Sequence, residues 1–400
     1  MRPTSNPTPP PAAPPEPDGR ALLADEARTG PRDGAGRTCV VAMSGGVDSA
    51  VTALLMRERG YRVVGINLRL FSPDDAEHRA NPCCGIPALH DARLTCARLG
   101  IPFYALNMEA EFGEAVIGRF VDDYAAGRTP NPCLECNRHV KFRHLVERAR
   151  ALGADCLATG HYARVVPGDP AAGAPHRLLR AADPGKDQSY VLHTLTQEQL
   201  GFVRFPLGAL LKRETRALAR AFDLPVADKA ESQEICFVGA RSYADFVAER
   251  RPETAVPGEV VDLDGRALGT HRGLARHTVG QRRGLGIAAG EPLYVVRLEP
   301  AANRVVVGPR AAAAARALRA DDVAMVDGGW PAAPFAAEAM VRYRGALHSA
   351  TVTLGPAGSG TATVVFDGPG PVASPGQAVV FSRGEEILGG GTIREVETPA

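Results

Sequence analysis

Apolar and polar positions follow two periods along this chain. Between residues 38 and 159, compact apolar runs alternate with stretches in which apolar residues return every three or four positions. The compact runs predict strands at 38–43, 61–68, 103–107 and 155–159. The helical spacing predicts helices at 48–59, 88–99, 110–124 and 137–152. Strands separated by helices imply βαβ units, and so an α/β fold on a doubly wound parallel sheet. Ligands in such sheets bind beyond the carboxyl ends of the strands. That edge holds the Ser44–Ser49 loop, the Asn67–Leu70 end and Thr159-Gly160-His161. Helical signals continue through Phe202–Leu224, with Lys212, Arg213 and Arg216 at a helix start. After Arg251, glycines and prolines punctuate short apolar segments. From 321 onward the chain reads as strands at Asp322–Val326, Ala337–Tyr343, Ser349–Leu354, Thr361–Phe366, Ala378–Ser382 and Leu388–Ile393, which suggests a small barrel. Ala311–Ala315 reads as a linker or a short helix. The pattern thus divides the chain into 1–36, 37–250, 251–310 and 320–400.

Composition changes this picture at the start of the chain. Eight of the first seventeen residues are proline. Such a segment buries too little apolar surface to fold alone, so 1–36 is expected to be a disordered tail. Its acids Glu16, Asp18, Asp25 and Glu26 argue against a transit peptide. A length of 400 residues leaves room for two or three domains. Lysine and arginine number 46 against 45 aspartates and glutamates, so any nucleic-acid site must be a local patch. No apolar stretch is long enough to span a bilayer, and a soluble, cytoplasmic protein with no membrane partner is expected. Eight cysteines without a secretory signal fit a reducing compartment, where thiols serve as metal ligands or redox groups.

Three runs carry chemistry. Val40–Met43 leads into Ser44-Gly45-Gly46-Val47-Asp48-Ser49 and then a helix. Two glycines turn the backbone sharply, and the positive end of the following helix makes the turn a phosphate cradle. No Gly-Lys-Ser/Thr follows, so this is not the P-loop of ordinary nucleotide hydrolases. The second run, Thr129-Pro130-Asn131-Pro132-Cys133-Leu134-Glu135-Cys136, brings a rigid extended approach into a Cys-x-x-Cys that opens a helix. A thiol at a helix start is stabilised as thiolate and made reactive; half of a structural zinc site is the other reading. The third run, Glu231–Val238, carries Cys236. Cys39, Cys96 and Cys156 lie inside apolar elements and read as core residues. Arg272, Arg276, Arg282 and Arg283, with His271 and His277, form a local basic patch suited to a phosphate backbone, or else an ordinary solvated loop.

Together with Ala158–Tyr162, Lys186-Asp187-Gln188-Ser189-Tyr190, Thr278–Gly286, Pro375-Gly376-Gln377 and Gly389–Gly391, these runs make residues 38–395 resemble the bacterial tRNA-specific 2-thiouridylases. The resemblance implies a catalytic domain of the adenine-nucleotide alpha hydrolase type with a pyrophosphate loop at 37–250. It further implies a central tRNA-contacting domain at 251–310 and a β-barrel at 320–400. The implied reaction uses ATP and magnesium to adenylate O2 of the wobble uridine in a tRNA anticodon loop. Sulfur from a partner protein, such as a cysteine desulfurase relay, or from hydrosulfide then displaces AMP. Ala42, Met43, Ser44, Gly45, Gly46, Val47, Asp48, Ser49, Leu68 and Gly160 would contact ATP, and Asn131, Pro132 and Cys133 the target base. His161, Lys186, Asp187, Gln188, Arg342, Tyr343 and Gln377 would contact tRNA. Cys136 matches the nucleophile and Cys236 the persulfide carrier, a pair that ends the cycle as a disulfide.

One departure opens a second sulfur route. Cys133 stands where many members have aspartate, so Cys133, Cys136 and Cys236 form a three-thiolate set suited to a 4Fe–4S cluster with one open iron. Two other functions compete with thiolation: a ligase adenylating a small carboxylate or amide, and a non-catalytic RNA-binding protein with structural zinc. Cys83-Cys84 have no assigned role.

Overall fold

The computed structural model describes residues 16–70, 85–231, 235–239, 241–287 and 290–398. The first strands are β1 (Thr38–Ala42), β2 (Arg62–Arg69), β3 (Phe103–Asn107) and β4 (Cys156–Ala158). A short hairpin, β5 (Arg164–Val166) and β6 (Arg177–Leu179), precedes β7 (Val203–Arg204). Strands β3-β2-β1-β4-β7 form one sheet, and each neighbouring pair is parallel. β1 is central and almost wholly buried, as expected of a parallel strand covered on both faces. Helices Val47–Glu58, Ile86–Leu99 and Lys212–Ala221 cover one face around Leu54, Cys96 and Leu218. On the other face the chain runs helically from Pro132 to Ala151 over Val40, Phe142 and Leu157. Both this helix and the one spanning Glu109–Ala125 contain a wider i→i+5 stretch, at Cys136–Leu145 and Gly113–Gly118. Such stretches recur at functional sites.

After helix Tyr243–Arg250 comes a second sheet. It is made of β8 (Gly258–Val261), β9 (Ala267–His271), β10 (Tyr294–Glu299) and β11 (Arg304–Gly308), ordered β10-β11-β8-β9 around Val260, Val295 and Val305. The last six strands are β12 (Ala317–Met325), β13 (Phe335–Met340), β14 (His348–Leu354), β15 (Ala362–Phe366), β16 (Ala378–Arg383) and β17 (Glu386–Glu397). They run β12-β15-β14-β13-β16-β17, and pairing of β12 with β17 closes the barrel. Buried and exposed residues alternate along β14 and β15, so one face of each fills the interior. Closure leaves few edges to protect. β17 also pairs with β6, which ties the barrel to the hairpin of the first domain.

Two expectations need correction. Within the expected tail 1–36, helices form at Gly19–Ala24 and Glu26–Thr29. The first is capped by Asp18, and Leu22 and Leu23 pack on the core beside helix Lys212–Ala221. Arg28 pairs with Glu214 and donates to the Ala209 carbonyl at 2.9 Å. Composition weighs what 1–36 could bury alone; residues 19–29 fold on an apolar face that other residues provide. His271 and His277 leave the expected basic surface too. Both are buried, their rings 5.5 Å apart, because the apolar segments around them form the core of the second sheet. Arg272, Arg276, Arg282 and Arg283 remain exposed. A short helical turn, Arg310–Ala313, overlaps Ala311–Ala315.

Candidate active site

The carboxyl ends of β1, β2 and β4 open into a cleft of about 330 Å³. The phosphate-loop wall starts where β1 stops. Met43 N still donates to Ile66 O, and buried Asn67 donates to Met43 O at 2.7 Å, so β2 fixes the point at which the chain turns. Gly45 adopts φ +75°, and a Cβ there would lie 2.1 Å from the Ala88 carbonyl oxygen. Only glycine turns there and passes the next helix. Ser49 Oγ accepts from Ser44 N at 3.2 Å and donates to Gly46 O at 3.0 Å, locking the loop onto its own helix. Ala42, Met43, Ser44, Asp48, Ser49, Leu68 and Gly160 line the cleft. Gly45 and Gly46 make the turn, and Val47 is buried in the core. A Cβ on Gly160 would lie 3.0 Å from Asp48 and Ser49 N, so the chain leaving β4 passes close against the first turn of helix Val47–Glu58.

Asp48 is held from behind. Lys212 Nζ donates to both its oxygens, at 2.6 and 2.8 Å, and the Tyr162 hydroxyl donates to Oδ1 at 2.9 Å. Lys212 also meets Glu231 at 3.0 Å, and Glu231 accepts from Lys186 at 2.5 Å. Burial works to raise the Glu231 carboxyl, but the Lys186 and Lys212 ammonium groups outweigh it and bring it down to about 2. In the sequence Lys212 reads only as a helix start and Glu231 only as part of the Cys236 run. No local signal joins them, since Lys212 and Asp48 are 164 positions apart.

The thiol wall faces this loop. Asn131 accepts from Leu134 N at 3.3 Å and caps the helix that begins at Pro132. Cys133 in the first turn is exposed, and Cys136 is buried to 8% exposure. Both line the cleft, as do Pro132 and Cys236. Two other domains brace the approach to this turn: Gln377 Nε2 donates to Thr129 O at 2.8 Å and Pro130 O at 3.3 Å, and Thr129 N donates to Pro375 O at 2.8 Å. Thr278 Oγ1 of the central domain lies 3.5 Å from Thr129 Oγ1.

His161 and Gln188 line the cleft between the walls. His161 Nδ1 lies 2.7 Å from Thr159 Oγ1, and its ring sits between Phe142 and Phe205. Burial, helped by the Lys141 charge, pushes its pKa well below 6.5, so the ring is neutral at pH 7. Gln188 Oε1 accepts from Tyr162 N at 3.0 Å. Asp187 is spent on its own loop, accepting from Ala181 N at 2.9 Å and Ser189 Oγ at 2.8 Å. Lys186, Arg342, Tyr343 and Gln377 are not among the residues lining the cleft. Tyr343 reaches toward it from the barrel. Burial lifts its hydroxyl, and the Cys133 thiol and Asp187 carboxylate act in the same direction against Arg344.

Cys39, Cys96 and Cys156 are buried core residues. Cys83, Cys84, Ser232, Gln233 and Glu234 lie outside the described residues. Asp48, a single carboxylate beside a phosphate cradle, fits a magnesium ion held chiefly by phosphates. A cluster is a different matter. Among the described residues no three His, Cys, Asp or Glu side chains are gathered to hold a metal ion. Cys133, Cys136 and Cys236 nevertheless line one cleft, and a 4Fe–4S cluster on these three thiols stays the alternative sulfur route. No described helix is long and apolar enough to cross a membrane.

A parallel sheet with a glycine turn after its central strand and no P-loop lysine defines a nucleotide-binding domain of the adenine-nucleotide alpha hydrolase class. The matching family models agree: a tRNA methyl transferase HUP domain over residues 37–240, a PRC-barrel domain over 244–309 and an aminomethyltransferase beta-barrel domain over 315–393. The tRNA-specific 2-thiouridylase MnmA of Methylorubrum extorquens is 51% identical over 364 residues, covering 89% of this chain and 93% of its own. The protein of the same description from Roseiflexus castenholzii is 47% identical, covering 88% and 98%, and that from Chloroflexus aurantiacus is 47% identical, covering 90% and 98%. The chain belongs to the tRNA-specific 2-thiouridylase family.

Proposed function

We propose that this enzyme thiolates C2 of the wobble uridine in tRNA at the expense of ATP. The carrying observation is that Asp48 with its glycine loop and Cys133, Cys136 and Cys236 line one cleft. Uridine O2 is a poor leaving group. Attack of O2 on the α-phosphorus of ATP releases pyrophosphate and leaves AMP carried on O2. Ser44–Ser49 cradle the triphosphate at the N-terminus of helix Val47–Glu58, where backbone N–H groups meet negative charge. A magnesium ion, when bound, neutralises charge developing on the phosphates. Asn131, Pro132 and Cys133 line the side on which the base enters after leaving its stack.

Sulfur arrives on Cys236 as a persulfide from a donor protein, such as a cysteine desulfurase relay. Its terminal sulfur attacks C2, AMP leaves with the former O2, and a Cys236–S–S–C2 adduct results. The Cys136 thiolate then attacks Cys236 Sγ, releasing 2-thiouridine and forming a Cys136–Cys236 disulfide. An external dithiol reduces that disulfide before the next turnover. Lys186, Arg342, Tyr343 and the exposed arginines at 272, 276, 282 and 283 hold the tRNA.

The test is incubation of the protein with ATP, magnesium, a persulfide source and an unmodified tRNA transcript carrying a wobble uridine, followed by nucleoside analysis. We expect 2-thiouridine at the wobble position with equimolar AMP. Pyrophosphate release without any thiolated nucleoside would overturn the proposal in favour of another adenylating ligase.

A further inference from the structure

Glu231 is the node of a chain of charges that begins at Lys186 and ends at the phosphate loop. Lys186 Nζ lies 2.5 Å from Glu231 Oε2; Lys212 Nζ lies 3.0 Å from Glu231 Oε1 and 2.6 Å from Asp48 Oδ1; Arg216 approaches Glu231 at 3.9 Å. Lys212 is only 11% exposed and Lys186 26%, so these charges are poorly screened and compete for one another. Glu231 divides itself between two lysines, and Lys212 divides itself between two carboxylates. Changing the partner of one end therefore shifts the balance at the other.

We infer that Glu231 and Lys212 are positioning residues that couple RNA engagement at Lys186 to nucleotide engagement at Asp48. The inference rests on the proposed function for its assignment of Lys186 to tRNA. In the free enzyme Lys212 neutralises Asp48. When an RNA phosphate takes Lys186, Glu231 loses its nearest cation and draws Lys212 toward itself. Asp48 is then less tightly paired and open to the cation that accompanies ATP. Binding of tRNA thus tightens binding of ATP, and by linkage ATP tightens binding of tRNA by the same factor. The device withholds full ATP affinity until the uridine is present. It also places the signal beside the segment that carries Cys236, five positions after Glu231.

The experiment measures the affinity of a non-hydrolysable ATP analogue with magnesium, by calorimetry, with and without saturating unmodified tRNA transcript. In the native enzyme the transcript is expected to tighten the analogue by about five-fold or more. In Glu231→Gln the ratio is expected to fall to one while the transcript still binds. Lys212→Met is expected to lose the ratio as well, and melting curves show whether each variant is folded. A native ratio of one, or a ratio retained in folded Glu231→Gln and Lys212→Met, would overturn the relay. Thiolation of the transcript by the native enzyme is scored in parallel. A native enzyme that thiolates but shows no coupling loses the relay and keeps the function; one that binds both ligands but never thiolates loses the function.

Discussion

The two walls of the cleft are built on different terms. The phosphate loop is held within its own domain: Ser49 on Ser44 and Gly46, Asn67 on Met43, Gly160 against Asp48, and Lys212 and Lys229 on Asp48 and the Gly45 carbonyl. The thiol wall borrows its rigidity. Its helix is capped locally by Asn131, but the chain leading into it is clamped by Gln377 and Pro375 of the barrel and approached by Thr278 of the central domain. A sulfur site gains from knowing whether RNA is seated, and the domains that clamp it are the ones proposed to hold the RNA.

Cysteine substitutions break the comparison most strongly. Cys136→Ser and Cys236→Ser are each expected to bring 2-thiouridine below detection while tRNA-dependent release of pyrophosphate persists, measured by nucleoside analysis beside a pyrophosphate assay. Loss of both activities together would mean that the walls do not work separately. Asp48→Asn attacks the other wall. It removes the charge paired with Lys212, and pyrophosphate release is expected to fall about 100-fold, the size of loss seen when one preorganised charge-stabilising group is removed. Binding of the transcript, read by filter retention, is expected to hold.

The middle of the range sharpens the idea of borrowed rigidity. Gln377→Ala leaves the Thr129 and Pro130 carbonyls without their side-chain donor. Unmet polar groups of this kind cost about 1–3 kcal/mol, and a loop displaced by that amount is expected to slow thiolation about 10-fold. Affinity for the ATP analogue, on the wall held within the first domain, is expected to stay the same. An equal loss in both would contradict the distinction.

How much of this was visible in the chain follows the same division. The central strands, their covering helices and the glycine turn are legible because their contacts are local and periodic; strands predicted at 38–43 and 103–107 form at Thr38–Ala42 and Phe103–Asn107. The Cys-x-x-Cys helix was visible too, though Asn131 and Pro132 start it earlier than its apolar spacing does. What could not be read is what the tertiary fold supplies. Lys212 meets Asp48 across 164 positions and Gln377 meets Thr129 across 248. The N-terminal helices exist because Glu214 and the apolar face beside it are there to receive Arg28, Leu22 and Leu23. His271 and His277 looked like surface cations because an apolar segment and a basic loop share the same short stretch.

The smallest expected effect concerns pH. Burial pushes His161 well below 6.5 and His193 down to about 4. Both stay neutral in the folded protein while the unfolded chain takes up protons below pH 6.5. Stability is therefore full above about pH 6.5 and lost as pH falls toward 4. Thermal melting across that window is expected to drop by several degrees, and His193→Gln should flatten the dependence if the variant folds. The ATP half-reaction is expected to show no imidazole step between pH 6.5 and 8, since His161 between the walls does not titrate there.

The central claim is that O2 of the uridine becomes the leaving oxygen on AMP. It is tested by a transcript whose wobble uridine carries oxygen-18 at C2, with AMP recovered and its mass measured after one turnover. The account predicts one oxygen-18 in AMP for every 2-thiouridine formed. Label found in water, or AMP formed without label while thiolation proceeds, would contradict it.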